Sequence, residues 1–247
     1  MKAVILAAGR GLRMGRLTDN LCKPMLPLRD GKPLLEHVLK SLPERVDRAI
    51  IVTGYKGELI RNYFGDNFKN IFIEYRYQDI DDSEMKGTWP AMCLAKEVLL
   101  EDECETFLVL NADDLFDKKS LEKLVESRNG ILIGQVKSLD AARRFGVVIV
   151  EDGKMKEIEE KPDNPKSTTV SVGAYVFGNN ILLEDNPAKR ANGEMMLPDV
   201  VESFRKENVL DAVLVKEWKP IGTEEEYRNE LLREEEGNSE GDNRYEK

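Results

Sequence analysis

Three short stretches place side chains that can do chemistry together. In "ILAAGRGLRMG" an apolar run breaks into Gly9, Gly11 and Gly15 with Arg13 among them, and "KPMLP" follows with Lys23. Glycines after a strand let backbone N–H groups approach phosphate oxygens, and two nearby cations can neutralise a triphosphate and the charge that develops on it. Read alone, the loop also suits a tight strand-to-helix turn with two solvated basic residues; its pairing with "KPMLP" favours phosphate. Two other phosphate loops do not fit. A dinucleotide fingerprint needs a third glycine where Met14 stands, and the second apolar run ends in Thr53 and Gly54 rather than in a ribose-binding acid. The GK[ST] of a P-loop is absent.

The second stretch, "FLVLNADDLF", runs an apolar strand into Asp113 and Asp114. Carboxylates at the carboxyl edge of a sheet lie where α/β proteins bind ligands, and their oxygens suit Mg²⁺. A helical pattern follows directly, so Asp114 or Asp117 can instead cap it, and Asp114 is read as structural. The third group is "RFGVV", "EEKP" and "VSVGAYVF", with Gly146, Glu160, Lys161, Ser171 and Gly173. By itself "KEIEEKPDNP" reads as an exposed charged turn. His37 is the sole histidine and lies along a helical stretch, which excludes His-dependent triads and histidine-rich metal sites. Met195 and Met196 read as packing residues. Trp218 does too, with an aromatic wall for a ligand as its other use. The acid-rich C-terminal segment reads as solvated.

Positioning these groups requires a folded body. A length of 247 residues with 41% apolar content supplies a core. The 37 basic against 47 acidic residues give a net charge of −10, which argues against a nucleic-acid partner. Three cysteines without CxxC spacing argue against a disulfide framework or a zinc ribbon, and a cytoplasmic setting is expected. No run approaches the ~20 apolar residues needed to span a bilayer, so no membrane partner is expected. Strands are predicted at "KAVILA", "DRAIIVT", "NIFIEYRY" and "TFLVLNA", with helices at "PLLEHVLKSL", "GELIRNYF" and "WPAMCLAKEVLL" between them. This order predicts a doubly wound, mostly parallel, Rossmann-like α/β sheet with helices on both faces. Beyond "ILIGQV" a hairpin about Asp152-Gly153 and a strand at "TVSVGAYVF" add a ligand-binding lid. A helix at "LPDVVESFRKE", a strand at "DAVLVK" and a last helix from about Thr223 to Glu235 follow. The expected organisation is one domain over 1–235 and an acidic, frayed tail over 236–247.

The combination "GRGLRM…KPMLP" resembles the sugar-1-phosphate nucleotidylyltransferases, and the resemblance runs from Met1 to about Leu232. It implies that Ala8, Gly9, Gly11, Arg13 and Lys23 surround the triphosphate. Gln78 in "YRYQ" and Gly87 and Thr88 in "KGTWPA" take the base side, and Asp113 holds Mg²⁺. The β-rich second part becomes an inserted sugar-binding portion. There Gly146 allows close approach, Glu160 accepts sugar hydroxyls, Lys161 holds the 1-phosphate, and Ser171 and Gly173 complete the pocket. The implied reaction is NTP plus sugar 1-phosphate giving NDP-sugar and pyrophosphate by in-line attack at the α-phosphorus. Four positions depart from the family pattern: Trp89 and Pro90 replace small residues, Ser171 stands where asparagine is common, and Pro220 in "EWKPIGT" replaces an aspartate that commonly completes the metal site. Asp113 with phosphates and water can suffice, another carboxylate can substitute, or turnover is weakened. The alternatives are therefore a cytidylyltransferase for a non-hexose phosphate such as phosphocholine or inositol phosphate, and a weakly active regulatory homologue. A homo-oligomer is compatible with all of these readings.

Overall fold

A computed structural model describes residues 1–101 and 105–232. The expectations for Cys104, for the last turn of the final helix and for the tail lie outside the described residues. Continuous apolar character makes "KAVILA" a central strand, β1 (Lys2–Ala7). Helix α1 (Leu34–Ser41) leads to β2 (Arg48–Thr53), and α2 (Gly57–Phe64) and β3 (Asn67–Phe68) lead to β4 (Ile71–Tyr77). The single helix expected over "WPAMCLAKEVLL" is instead two, α3 (Thr88–Cys93) and α4 (Lys96–Leu100). They part where the hydrogen-bond spacing tightens to three residues, Ala95 N–H donating to Met92 O at 3.0 Å.

Strand β5 (Thr106–Asn111) passes through β6 (Asp114–Phe116) into α5 (Lys118–Leu124). Asp117, not Asp114, caps α5, accepting from Ser120 N–H at 2.9 Å. Next come β7 (Gly130–Gln135), α6 (Leu139–Ala142) and the hairpin of β8 (Gly146–Glu151) and β9 (Lys154–Glu160). Its turn residues, Asp152 and Gly153, both have positive φ, as a type I′ turn requires. The chain continues through β10 (Thr169–Gly178), α7 (Leu197–Phe204), β11 (Asp211–Leu214), β12 (Trp218–Pro220) and α8 (Glu224–Leu232).

Ten strands form one sheet in the order β3-β4-β2-β1-β5-β10-β7-β11-β9-β8. The sheet is mixed, which corrects the mostly parallel expectation: β4, β2, β1 and β5 are parallel, but β10 enters antiparallel between β5 and β7. A strand buried on both faces has the same apolar pattern in either direction, so its pattern alone does not reveal its polarity. Val170 of β10 also pairs with Val147 of β8, closing β10, β7, β11, β9 and β8 into a ring. Alternation along the strands sends Val4, Ile50, Phe107 and Phe177 into one apolar cluster and Ile5, Ile51, Leu108 and Val176 into another, one on each face. Among the described residues no helix is long and apolar enough to cross a membrane.

Helix α1 buries Leu34, Leu35, Val38 and Leu39, and with them Glu36. Burial alone would push the Glu36 carboxyl up, but hydrogen bonds from Lys40, Tyr63 and Lys32 outweigh it and hold the group at about 2. A depressed native value adds stability above the unfolded value near 4.5, and that stability is lost as pH falls through about 2. Glu36→Gln is therefore expected to cost about 1 kcal/mol at pH 7, a size limited by the solvent around both lysines. Urea unfolding should show this deficit at pH 7 and a much smaller one at pH 2.5. An equal deficit at both would refute the charge explanation.

Candidate active site

Past the end of β1 the chain turns through Gly9 and Gly11, and Gly11 O accepts from Met14 N–H at 2.8 Å. This starts a short 3-10 helix, Leu12–Thr18, that buries Met14 and leaves Arg13 exposed. A second 3-10 helix, Lys23–Met25, buries Lys23 to 6% exposure, and its ammonium pairs with the Asp113 carboxylate. Asp113 itself keeps a third of its side chain exposed.

On the opposite side, Gln78 follows β4 and its amide nitrogen donates to the carbonyls of Gly87, at 2.9 Å, and Met85. Gly87 has φ of 110°, and a Cβ there would lie 2.1 Å from Met195 O. The two loops are laced together: Met195 N–H donates to Lys86 O at 2.9 Å, Trp89 N–H donates to Met195 O at 3.2 Å, and Leu197 N–H donates to Thr88 Oγ1 at 2.8 Å. Trp89 turns its ring into the core and bonds Asn186 Oδ1 at 2.9 Å, so this bulky departure leaves the cavity wall to Ala91. All eight residues assigned to the nucleotide, Ala8, Gly9, Gly11, Arg13, Lys23, Gln78, Gly87 and Thr88, line one cavity of about 700 Å³.

A second cavity of about 160 Å³ is lined by Gly146, Glu160, Lys161, Ser171 and Gly173. Gly173 sits at a bulge of β10 with φ of 77°, and a Cβ would be 2.1 Å from Asn111 Nδ2. The Ser171 hydroxyl bonds the Tyr175 hydroxyl at 2.7 Å. Burial raises the Glu160 carboxyl, against the pull of Lys161, whose ammonium lies 3.3 Å away. Arg13, Thr88, Asp113 and Lys161 line both cavities.

Asp114 is buried below this junction. Its oxygens accept from Trp218 Nε1 at 2.9 Å and Asn111 Nδ2 at 3.4 Å. Burial first, and the charge of Asp113 second, push it up to about 7. Trp218 packs edge to face on Phe145 with ring centres 5.3 Å apart, while its ring also lines the smaller cavity. Pro220 pairs with Asp114 across β12 and β6, and Ile221 N–H next to it donates to Asp113 O at 3.1 Å. Glu226 also lines the smaller cavity. Its oxygens are taken by Gly222 N–H at 2.8 Å and Arg144 Nη2 at 2.9 Å.

A model of the family described as nucleotidyl transferase matches residues 2–236. The chain belongs to the nucleotidyl transferase family. This nucleotidyl transferase is 37% identical over 229 residues to the bifunctional protein GlmU of Methanococcus aeolicus, covering 90% of this chain and 51% of that one. It thus spans about half the length of the GlmU relatives it matches. It is also 30% identical to the UTP–glucose-1-phosphate uridylyltransferase AglF of Haloferax volcanii, over 89% of this chain and 90% of that one. Among solved structures, a UDP-glucose pyrophosphorylase complexed with UDP-glucose superposes with a TM-score of 0.76 at 25% identity, covering 93% of this chain and 96% of that one. The mixed α/β nucleotidyltransferase fold is shared.

Asn111, Arg144, Tyr175 and Glu226 are among the cavity residues that the sequence motifs do not single out. The first three lie inside stretches that were read for their neighbours. Glu226 corrects the view that the acidic C-terminal segment is wholly solvated, because it bonds Gly222 and Arg144 at the cavity. Among the described residues no cluster of three or more His, Cys, Asp or Glu could hold a metal. One accessible carboxylate at the junction still fits Mg²⁺, which is commonly held by one or two carboxylates plus substrate phosphates and water.

Proposed function

We propose that this chain joins a nucleoside triphosphate to a sugar 1-phosphate, giving an NDP-sugar and pyrophosphate. The shared wall of the two cavities carries this reading, because Arg13, Asp113 and Lys161 face both. A sugar phosphate held by Lys161 then meets an α-phosphorus held by Arg13 and Lys23. Its oxygen attacks in line, the bond to pyrophosphate breaks, and no protein nucleophile is needed. The chain's contribution is positioning and charge stabilisation. Asp113 would hold Mg²⁺, which when bound neutralises phosphate charge. Residues 1–235 form the nucleotidyltransferase domain, with the ring of β7–β11 as its sugar-binding portion.

Gln78 supports a choice of base. Both partners of its amide nitrogen are carbonyls, so its oxygen is the group left to face a ligand, and an oxygen accepts. Uracil and thymine offer N3–H to an acceptor, whereas cytosine presents a lone pair at N3 and donates only through its 4-amino group. UTP or dTTP is therefore favoured over CTP. The relatives named for UTP and UDP-glucose agree with this.

The test is pyrophosphate release from four NTPs, each mixed with a panel of sugar 1-phosphates, phosphocholine and inositol phosphate. Release is expected only with NTP, acceptor and Mg²⁺ together, and faster with UTP or dTTP than with CTP. A wholly negative panel with nucleotide binding intact would instead support the regulatory homologue. A covalent nucleotidyl-protein would defeat direct displacement.

A further inference from the structure

Lys161 has φ of 49°, in the left-handed region that non-glycine residues seldom occupy. The peptide unit that precedes it is held at both ends. Lys161 N–H donates to Phe145 O at 3.0 Å, and Glu160 O accepts from Arg190 Nη1 at 3.1 Å. Arg190 is itself fixed by a two-point pair with Asp199, Nε to Oδ2 at 2.9 Å and Nη2 to Oδ1 at 2.5 Å. Such planar forks specify direction as well as charge. Asp199 lies in the first turn of α7, so a rigid element anchors the clamp. Neither Arg190 nor Asp199 lines either cavity.

We infer that Arg190 and Asp199 are positioning residues that aim Lys161 at the acceptor phosphate. The inference rests on the reading of Lys161 as the group that holds that phosphate. Rotation of the Glu160–Lys161 peptide to a right-handed geometry swings the Lys161 Cα–Cβ bond away from the junction. Arg190 prevents that rotation without touching substrate. Affinity for the sugar phosphate should then depend on Arg190 only while Lys161 is present.

Calorimetric binding of glucose 1-phosphate and of UTP tests this without requiring turnover. Arg190→Ala is expected to weaken glucose 1-phosphate binding by about ten-fold and UTP binding by less than about two-fold. Asp199→Asn, nearly isosteric, should shift both affinities in the same directions and serves if Arg190→Ala does not fold. In a Lys161→Ala background, Arg190→Ala should add nothing. Equal losses with and without Lys161 would show that Arg190 acts independently, and parallel losses for both ligands would show general loosening; either overturns the inference. If Lys161→Ala leaves glucose 1-phosphate binding intact, the role of Lys161 itself falls, and the inference with it.

Discussion

Lys23→Ala and Arg13→Ala should each lower kcat by about 10²- to 10³-fold, the usual effect of losing one preorganised contact to developing charge. Both cations reach the nucleotide cavity, but they are held differently. Lys23 is buried and paired with Asp113, so its position is set before substrate arrives. Arg13 is exposed and lines both cavities. Contacts realised fully only as charge shifts at the α-phosphorus lower kcat, whereas uniform binding contacts raise KM. The KM for NTP should therefore change less than kcat in both variants. Removing Lys23 also strips Asp113 of its partner, so the Lys23 effect should be the larger. Steady-state kinetics with each substrate varied, together with a thermal melt, measures both. Near-wild-type turnover in either variant would mean that the glycine loop does not serve the chemistry.

Gly87→Ala should be nearly as damaging, through geometry rather than charge. The backbone there, φ 110° and ψ 177°, belongs to a region that is essentially glycine's alone. The added methyl would press on the Met195 carbonyl at 2.1 Å, and that carbonyl already accepts from Trp89 N–H. Neither strand of the lacing can move without breaking hydrogen bonds at Lys86, Trp89 or Thr88. A cost of about 3 kcal/mol or more is expected, lowering Tm by roughly 6–12 °C in a chain of this size. UTP binding should weaken with it, because Gln78 bonds the Gly87 carbonyl. Gly65→Ala is the control for a positive-φ glycine with open space around it, and it should cost much less. Equal Tm losses in the two variants would show that conformation alone, not the contact with Met195, is responsible.

Much of this was readable from residue order. Strands β1, β2, β4 and β5 are short apolar runs rich in β-branched residues, and the glycine loop and Asp113 sit at their ends by chain connectivity. The direction of β10 was not readable, and with it went the ring that brings Ser171, Tyr175 and Gly146 around one cavity. The rotation of Trp89 into the core was equally hidden, since a tryptophan beside a glycine turn can face either way. Glu226 and Arg144 are 82 residues apart and look like ordinary surface charges until folding pairs them. Arg190 and Asp199 are close in sequence, yet their use depends on a carbonyl 30 residues upstream. Local pattern encodes elements; partners across the sheet come from topology.

Helix α8 gives the order of synthesis a consequence. Tyr227 and Ile221 complete the apolar cluster under Met14, Leu26 and Leu34, and Tyr227 Oη bonds Pro27 O across 200 positions. At ordinary translation speeds of 5–20 residues per second, Pro27 waits roughly 10–40 s for that partner. During this interval β1, β2 and β4 can already pair, while the turn that carries Arg13 lacks the Ile221 and Tyr227 side chains that complete its apolar cluster. A nascent chain therefore acquires the parallel part of its sheet well before its triphosphate loop. Limited proteolysis of stalled ribosome complexes should cut between residues 9 and 18 until Tyr227 has cleared the exit tunnel.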